Sequence, residues 1–175
     1  MKIPIQLQAD CTQCCGLCCV GPAFDADQGF GFDKPAHTAC QHLQRDDRCG
    51  IHEQLTARGF PSCAAFDCHG AGQWVTQQLF GGRSWRSSPE LGASMFAHFQ
   101  RYRALHELMA LVDRAVRSSR PNEATALQEC LECIEGICRS GPSTACTISL
   151  TALRTAVMQA LHVQKNARSE CVRPK

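Results

Sequence analysis

The stretch Cys11-Thr-Gln-Cys14-Cys15-Gly-Leu-Cys18-Cys19 decides how the first part of this chain is held together. It carries five of the fourteen cysteines in a sequence of 175 residues. Four more cysteines follow at Cys40, Cys49, Cys63 and Cys68. Thiols at this density are either paired as disulfides or bound to metal, and that choice decides which functions the chain can have.

The amino-terminal residues do not resemble a secretory signal, because Pro4, Gln6, Gln8 and Asp10 interrupt any apolar run. The sequence also lacks a stretch approaching the roughly 18 apolar residues that a membrane-spanning helix requires. We therefore predict a cytoplasmic protein with no membrane partner. Thiols are kept reduced in the cytosol, so the cysteines favour metal binding over a disulfide framework.

Composition and charge exclude several function classes. The formal net charge is +2 and the basic residues form no concentrated stripe, so a nucleic-acid partner is not expected. We find no Ser-His-Asp order, paired carboxylates, phosphate-binding loop or dinucleotide fingerprint. Any catalysis would have to come from a bound metal, and the sequence favours a protein that is not an enzyme.

Residues 1–86 predict an irregular, loop-rich domain that metal cross-links hold together. Glycine, proline, aspartate and cysteine are frequent there, and runs with helical periodicity are short. We predict one short helix over Ile51–Arg58, closed by Gly59, and another over Gly72–Leu79. Extended residues are expected at most around Ala64–Phe66. So few regular elements could not bury a core unaided, which is a further reason to expect metal.

Residues 87–175 predict about three amphipathic helices, which makes the fold class mainly α. Ser87 and Glu90 have the spacing of a capping box. Apolar residues then recur at helical intervals in three runs: Leu91, Met95, Phe99, Tyr102, Leu105, Leu108 with Met109, Val112 and Val116; Leu127, Cys130, Ile134, Ile137 and Cys138; and Leu150, Leu153, Val157 and Leu161. We expect these helices to form a bundle packed on the first domain as one compact unit, with a surface for a protein partner.

The spacing of the first cysteines would suit a metal if residues 11–19 were helical. Cys11, Cys14, Cys15 and Cys18 would then lie on one face. Gly16 argues against an ideal helix, but it would let backbone amides approach the sulfurs. Consecutive cysteines point in different directions on a regular backbone. Cys18 and Cys19 would then bind different metal atoms, or one of the two would not be a ligand.

The cysteine pattern resembles a bacterial family, the CxxCxxCC or YkgJ-like domain, described as a zinc- or iron-chelating domain. The resemblance rests on Cys11-x2-Cys14-x3-Cys18-Cys19, Cys40-x-His-Leu, Cys49-x-Ile-His and Phe60-Pro-x-Cys63-x-x-Phe66-x-Cys68. It covers about residues 11–68, with one extra residue in the first cluster and His52 where the family has tyrosine. The resemblance implies eight metal ligands: Cys11, Cys14, Cys18, Cys19, Cys40, Cys49, Cys63 and Cys68. Cys15 lies outside the pattern.

Eight thiolates could form two mononuclear sites, one polynuclear zinc site or iron–sulfur clusters. Zinc and an iron–sulfur cluster stay open as cofactors, with Cu(I) ranked behind both. Cys11-x3-Cys15-x2-Cys18 also has the spacing of radical S-adenosylmethionine enzymes, but no βα alternation follows it. We predict a metal-binding protein with a structural, electron-transfer or metal-handling role. The alternative is a metal-dependent enzyme, or an accessory subunit of a protein- or peptide-modifying system.

A second group of cysteines lies in the helical region, at Cys130, Cys133, Cys138, Cys146 and Cys171. Several of them share an apolar stripe with Ile134 and Ile137, so we interpret them as small apolar core residues. A Cu(I) site or second cluster inside the bundle is the alternative. Metal analysis of Cys130→Ser and Cys133→Ser variants would distinguish the two interpretations.

Overall fold

The computed structural model describes residues 5–120, 124–141 and 149–171, and the side chains as far as residue 162. Within these ranges the chain is mainly helical and has no strand, only isolated bridges that pair Phe24 with Lys34 and Leu43 with Cys49. The predicted fold class is confirmed: short helices and loops precede long helices. No helix in the described ranges is long and apolar enough to cross a membrane.

The chain divides into two compact units, Met1–Arg103 and Ala104–Lys175. This division falls inside the first long helix, after Arg103. The domain boundary that the sequence predicts after residue 86 stays a prediction. The first unit contains all nine early cysteines. Its short helices are α1 (Leu17–Val20), α2 (Pro61–Ala65) and α3 (Ala71–Gln73), and α3 continues as a π-helical segment, Trp74–Leu79. Single 3-10 turns lie at Cys11–Gln13, Ala26–Gln28, His52–Gln54 and Trp85–Ser87.

Two of the local predictions for the first unit need correction. The helix predicted over Ile51–Arg58 is only a 3-10 turn followed by hydrogen-bonded turns, although Gly59 closes it at φ 85° as expected. The residues around Ala64, expected to be extended, belong instead to α2, which Pro61 starts. Proline at the first helical position costs no hydrogen bond and has its φ preset for the helix. The helix predicted over Gly72–Leu79 is confirmed.

The core of the first unit lies beside the cysteines. Ile51, Leu55 and Phe60 form one buried cluster, and Phe32, Cys49 and Cys63 pack against it. On another side, Phe96 stacks on His37 at 5.0 Å between ring centroids and lies 6.0 Å from Trp85. Aromatic contacts of this kind stabilise a loop-rich unit beyond the area they bury.

The long helices begin close to where the sequence places them. They are α4 (Pro89–Arg117), α5 (Thr125–Arg139) and α6 (Leu150–Cys171). The cap of α4 is Ser88 and not Ser87, because the Ser88 hydroxyl accepts a hydrogen bond of 3.2 Å from the Leu91 amide. The residues just before α5 and α6, 121–123 and 142–148, lie outside the described residues, so the predicted starts of these two helices are not tested there.

The second unit has its own apolar core. Its buried side chains come from the last part of α4 and from α5 and α6, which pack on each other. They include Leu105, Met109, Val112, Leu127, Ile134, Ile137, Leu153 and Val157. These residues belong to the predicted apolar stripes. The pattern of helical periodicity therefore located the core correctly.

Candidate metal centre

The first cysteine cluster is not a single helix, which corrects the arrangement considered from spacing alone. Cys11 lies in a 3-10 turn, and the chain then turns at Gly16 with φ 71° before α1 begins. A methyl group at Gly16 would lie 2.7 Å from Leu43 Cδ1 and 2.9 Å from the Asp47 carbonyl oxygen. Only glycine fits this left-handed, crowded position. This turn separates Cys14 and Cys15, which precede it, from Cys18 and Cys19, which lie in α1.

Cys15 points into the protein rather than toward the other thiols. Its side chain is 4% exposed, and its sulfur lies 3.5 Å from the Thr76 hydroxyl oxygen. Its backbone amide donates to the same hydroxyl oxygen at 3.3 Å, while its carbonyl accepts from Trp85 Nε1 at 2.9 Å. This buried environment is that of a packing cysteine, in keeping with its place outside the family pattern.

Cys14 and Cys68 meet at Gly72, on the first turn of α3. A methyl group at Gly72 would lie 2.7 Å from the Cys14 sulfur and 3.8 Å from the Cys68 sulfur. The absence of a side chain on Gly72 therefore leaves room for two thiols from distant parts of the chain. Burial is the largest cause that raises the pKa of the Cys11 thiol, and charge on Cys68 raises it further. We therefore place Cys11 in the same neighbourhood.

Cys19 and Cys40 form a second neighbourhood, connected to the first through Cys18. The sulfurs of Cys18 and Cys19 lie 4.0 Å apart, so these consecutive side chains do not diverge as expected for a regular backbone. The amide of Cys40 donates a hydrogen bond of 2.9 Å to the Cys19 carbonyl. Cys49 contributes to the same region, because its thiol hydrogen-bonds with the Cys19 side chain and charge on Cys40 raises its pKa, after burial as the largest cause.

Cys18 lies at the centre of the cysteines. Burial is the largest cause that raises the pKa of the surrounding thiols, and negative charge on Cys18 raises each of them further. The thiols affected by Cys18 in this way are Cys11, Cys14, Cys49, Cys63 and Cys68. The pKa of Cys18 itself is raised well above the ordinary value, first by its hydrogen bond with Cys19 and then by burial. Charge on the Cys18 sulfur therefore acts on thiols from four segments of the chain.

Backbone amides point at several of these sulfurs. Amides of Gly16 and Leu17 donate to Cys14, which is the approach expected when the sequence places glycine there. Cys68 accepts from Gly70 and Gly72, and the His42 amide donates to the Cys40 sulfur at 3.4 Å. These hydrogen bonds favour the thiolate form, but burial outweighs them and raises the pKa of Cys14 to about 12. The pKa of Cys63 is raised to about 11.

The thiols whose pKa is raised, such as Cys14 and Cys63, are therefore protonated at neutral pH in the protein alone. Among the residues that the structure describes, no three His, Cys, Asp or Glu side chains are already arranged to hold a metal ion. The described cysteines are free thiols, so the structure contains no disulfide among them. Their donor set is soft and nearly all sulfur, which suits zinc, Cu(I) or an iron–sulfur cluster and suits calcium or magnesium poorly.

A shallow groove of about 350 Å³ borders Cys63 on the protein surface. His52 and Glu53 line it on one side and Phe66 on the other, and Phe66 is 38% exposed. Arg103 lies with its guanidinium carbon 6.0 Å from the centre of the Phe66 ring. Solvent and small molecules thus have a path to one of the eight candidate ligands.

The later cysteines do not behave as one group. Cys138 is 1% exposed and belongs to the core of the second unit, whereas Cys133 is exposed and Cys130 half-buried. The interpretation as core residues therefore holds for Cys138 and is wrong for Cys133. Cys146 and the side chain of Cys171 lie outside the described residues.

Sequence reasoning missed two residues that shape the site. Gly72 makes room for two sulfurs, and Lys34 is buried with its ammonium group among backbone carbonyls. Nothing in residue periodicity points to either one. The only signals were two segments, Phe32-Asp-Lys-Pro35 and Asp67-Cys-His-Gly-Ala-Gly72-Gln, which together resemble a bacterial subgroup of the cysteine-cluster family.

The structure is that of a mainly helical, cysteine-rich protein whose first unit carries nine of the cysteines. The chain is similar to the uncharacterized protein YybG of Bacillus subtilis (strain 168), with 41% identity over 115 residues. The match covers 66% of this chain and 41% of YybG, so the chain spans less than half of that relative's length. No family model matches the chain, and no solved structure matches it. The resemblance to the CxxCxxCC domain therefore stays a prediction.

Proposed function

We propose that the first unit binds metal through eight cysteine thiolates in two connected sets, with Cys18 and Cys19 as the connection. The first set contains Cys11, Cys14, Cys18 and Cys68, and the second contains Cys19, Cys40, Cys49 and Cys63. The observation that carries the proposal is the convergence of these thiols around Cys18, from five separate segments. A protein in a reducing compartment has little reason to bring so many oxidisable groups together unless they bind metal.

Binding requires the thiols to lose their protons and the sulfurs to turn toward common points. The metal cation replaces the protons, so its binding free energy has to offset the raised pKa values of thiols such as Cys14 and Cys63. When bound, a closed four-thiolate zinc site would supply cross-links to a unit that has few regular elements. An iron–sulfur cluster in the same place would in addition supply a site for one electron. We propose a structural, metal-handling or electron-transfer role accordingly.

The Cys18–Cys19 contact favours zinc over a [4Fe–4S] cluster. Two thiolates on one tetrahedral zinc ion, each at about 2.3 Å from the metal, have sulfurs about 3.8 Å apart. The 4.0 Å separation of Cys18 and Cys19 is close to that value. A [4Fe–4S] cluster takes one thiolate per iron, which sets its ligand sulfurs farther apart. The pair is therefore close enough for one of its two sulfurs to bridge the zinc ions of the two sets.

Anaerobic purification with metal and acid-labile sulfide analysis tests the proposal. We expect colourless protein holding stoichiometric zinc, and iron with sulfide and a brown colour would select the cluster instead. Folded protein that stays metal-free when supplied with zinc or iron under reducing conditions would contradict the proposal altogether. Chelation should unfold the loop-rich part of the first unit, which circular dichroism and limited proteolysis would report.

The groove beside Cys63 favours a second candidate, a metal-dependent enzyme or an accessory subunit of a modifying system. Catalytic zinc keeps one position open to water or substrate, and the groove gives such access to one ligand. X-ray absorption distinguishes the two candidates. Four sulfur ligands per metal support the closed site, whereas three sulfurs and one oxygen or nitrogen would support the enzyme.

A further inference from the structure

Lys34 is the one lysine side chain that the structure describes, and it is buried. It is only 4% exposed, although lysine is among the residues least often found inside proteins. Its ammonium nitrogen lies 4.5 Å from the centre of the Phe24 ring. Four backbone carbonyl oxygens lie within hydrogen-bond distance of its three N–H donors, those of Val20 at 3.3 Å, Pro22 at 2.6 Å, Pro35 at 3.1 Å and Thr38 at 2.8 Å.

The carbonyls that surround Lys34 flank two of the proposed metal ligands. Val20 directly follows Cys19, and Thr38 lies two positions before Cys40. One ammonium group thus ties together the two segments that carry these cysteines. The direct hydrogen bond from the Cys40 amide to the Cys19 carbonyl, at 2.9 Å, lies across the same junction.

The charge on Lys34 is not neutralised by its hydrogen-bond partners, because all four are uncharged carbonyls. Burial lowers the pKa of Lys34, while charge on Cys40 and Cys19 raises it. The lysine and these two sulfurs therefore interact electrostatically inside the protein, where screening is weaker than at the surface. A set of four thiolates on one divalent cation carries a net negative charge, so a nearby fixed positive charge favours it.

We propose that Lys34 is a positioning residue of the second ligand set, holding Cys19 next to Cys40 and supplying a fixed positive charge beside their thiolates. This inference rests on the proposed function, since it assumes that both cysteines bind metal. It predicts that Lys34 acts on the second set and leaves the first set, with Cys11, Cys14 and Cys68, unaffected.

The test is a zinc titration of the full chain against a chromophoric chelator, under reducing and anaerobic conditions. Lys34→Met keeps most of the length of the side chain and removes the charge and the donors. We expect this substitution to lower the zinc affinity of the second ligand set by about tenfold or more. The zinc affinity of the first set should stay unchanged. Arg45→Gln is the matched control, because it removes one positive charge from an exposed side chain of the same unit. We expect this control to bind zinc as the wild type does.

Double variants assign the effect to one ligand set. In a Cys40→Ser background the second set is already broken, so Lys34→Met should change zinc binding little further. In a Cys68→Ser background it should have its full effect. If Lys34→Met does not fold, Lys34→Gln, which keeps two N–H donors without the charge, is compared in the same way.

Three outcomes would overturn the inference. Wild-type affinity in a folded Lys34→Met or Lys34→Gln protein would show that the lysine does not act on the metal. Equal losses in the Cys40→Ser and Cys68→Ser backgrounds would show that it supports the fold in general. Failure of the wild type to bind zinc or iron would instead remove the proposed function itself.

Discussion

The amide of Cys40 donates a hydrogen bond of 2.9 Å to the carbonyl of Cys19, so two candidate ligands that are far apart in the sequence are neighbours in the fold. Cys19 also contacts Cys18, whose sulfur lies 4.0 Å away. Through this pair the second ligand set is connected to the first. The arrangement makes Cys18 the position at which a substitution should affect both sets.

Cys18→Ser and Cys15→Ser should have opposite effects, although the two residues lie three positions apart. We expect the first variant to lose most of the bound metal, because its hydroxyl is a poor ligand for a soft metal and the lost sulfur contacts both sets. Cys15→Ser should retain the metal and lose about 1 kcal/mol of stability, since its sulfur packs beside Thr76.

Metal per chain, measured after desalting, checks this pair of variants. Equal metal content in the two proteins would contradict the central place of Cys18. Loss of metal in Cys15→Ser alone would mean that Cys15 is a ligand and Cys18 is not.

Gly72→Ala should weaken metal binding through a single added methyl group. That group would lie 2.7 Å from the Cys14 sulfur and 3.8 Å from the Cys68 sulfur, so at least one thiol has to move. Gly136→Ala is the matched control, because no atom lies within 4 Å of the methyl group and Gly136 is inside α5. The control should gain up to about 1 kcal/mol of stability from helix propensity.

Chelator competition and thermal unfolding of the metal-loaded proteins measure these two substitutions. We expect a lower metal affinity and a lower unfolding temperature for Gly72→Ala, and a higher temperature with unchanged affinity for Gly136→Ala. Unchanged affinity in Gly72→Ala would mean that the Cys14 and Cys68 sulfurs do not meet there.

The metal-free protein should become less stable as the pH rises above 9. The pKa of Cys14 is raised from 9.0 to about 12 by burial, so the folded state holds this proton more tightly than the unfolded state does. The contribution of the protonated Cys14 thiol to the stability of the folded state is therefore complete below pH 9, and it is lost as the pH rises through about 12. The effect is on the order of a few kcal/mol for Cys14, and Cys63, with a pKa of about 11, acts in the same direction.

Urea unfolding of the metal-free wild type and of Cys14→Ser between pH 8 and pH 11 isolates this effect. The stability of the wild type should fall faster than that of the variant. Metal binding at neutral pH should release protons, because the thiols are protonated before it, and metal affinity should fall as the pH falls. Parallel stability curves and metal binding without proton release would contradict the raised pKa values.

Serine substitutions in α5 should leave the bound metal unchanged. Cys133 is exposed, so Cys133→Ser should change stability by less than about 0.5 kcal/mol. Cys138 is 1% exposed, and a serine hydroxyl placed there should cost about 1–2 kcal/mol. Denaturant unfolding and metal analysis of both variants check this, and a loss of metal in either would support a second site in the helical region.

The helical part of this protein was largely predictable from sequence, and the cysteine part was not. Apolar residues at helical intervals along α4 and α5, such as Met95 and Ile134, are buried as their periodicity predicts. In the first unit the local predictions were less accurate, and the Ile51–Arg58 helix is only a turn. Turns held by side chains and by distant segments leave no periodic signal.

The sequence by itself determined that the protein is mainly helical and that nine cysteines lie in its first part. Helical periodicity and cysteine spacing are local properties, and both can be read along the chain. Only the tertiary structure decided that Cys15 turns into the core, that Cys14 meets Cys68 at Gly72, and that Lys34 lies beside Cys19. These contacts join residues that are far apart in sequence, or give neighbouring side chains such as Cys14 and Cys15 different surroundings. Each of them depends on how the loops pack against one another.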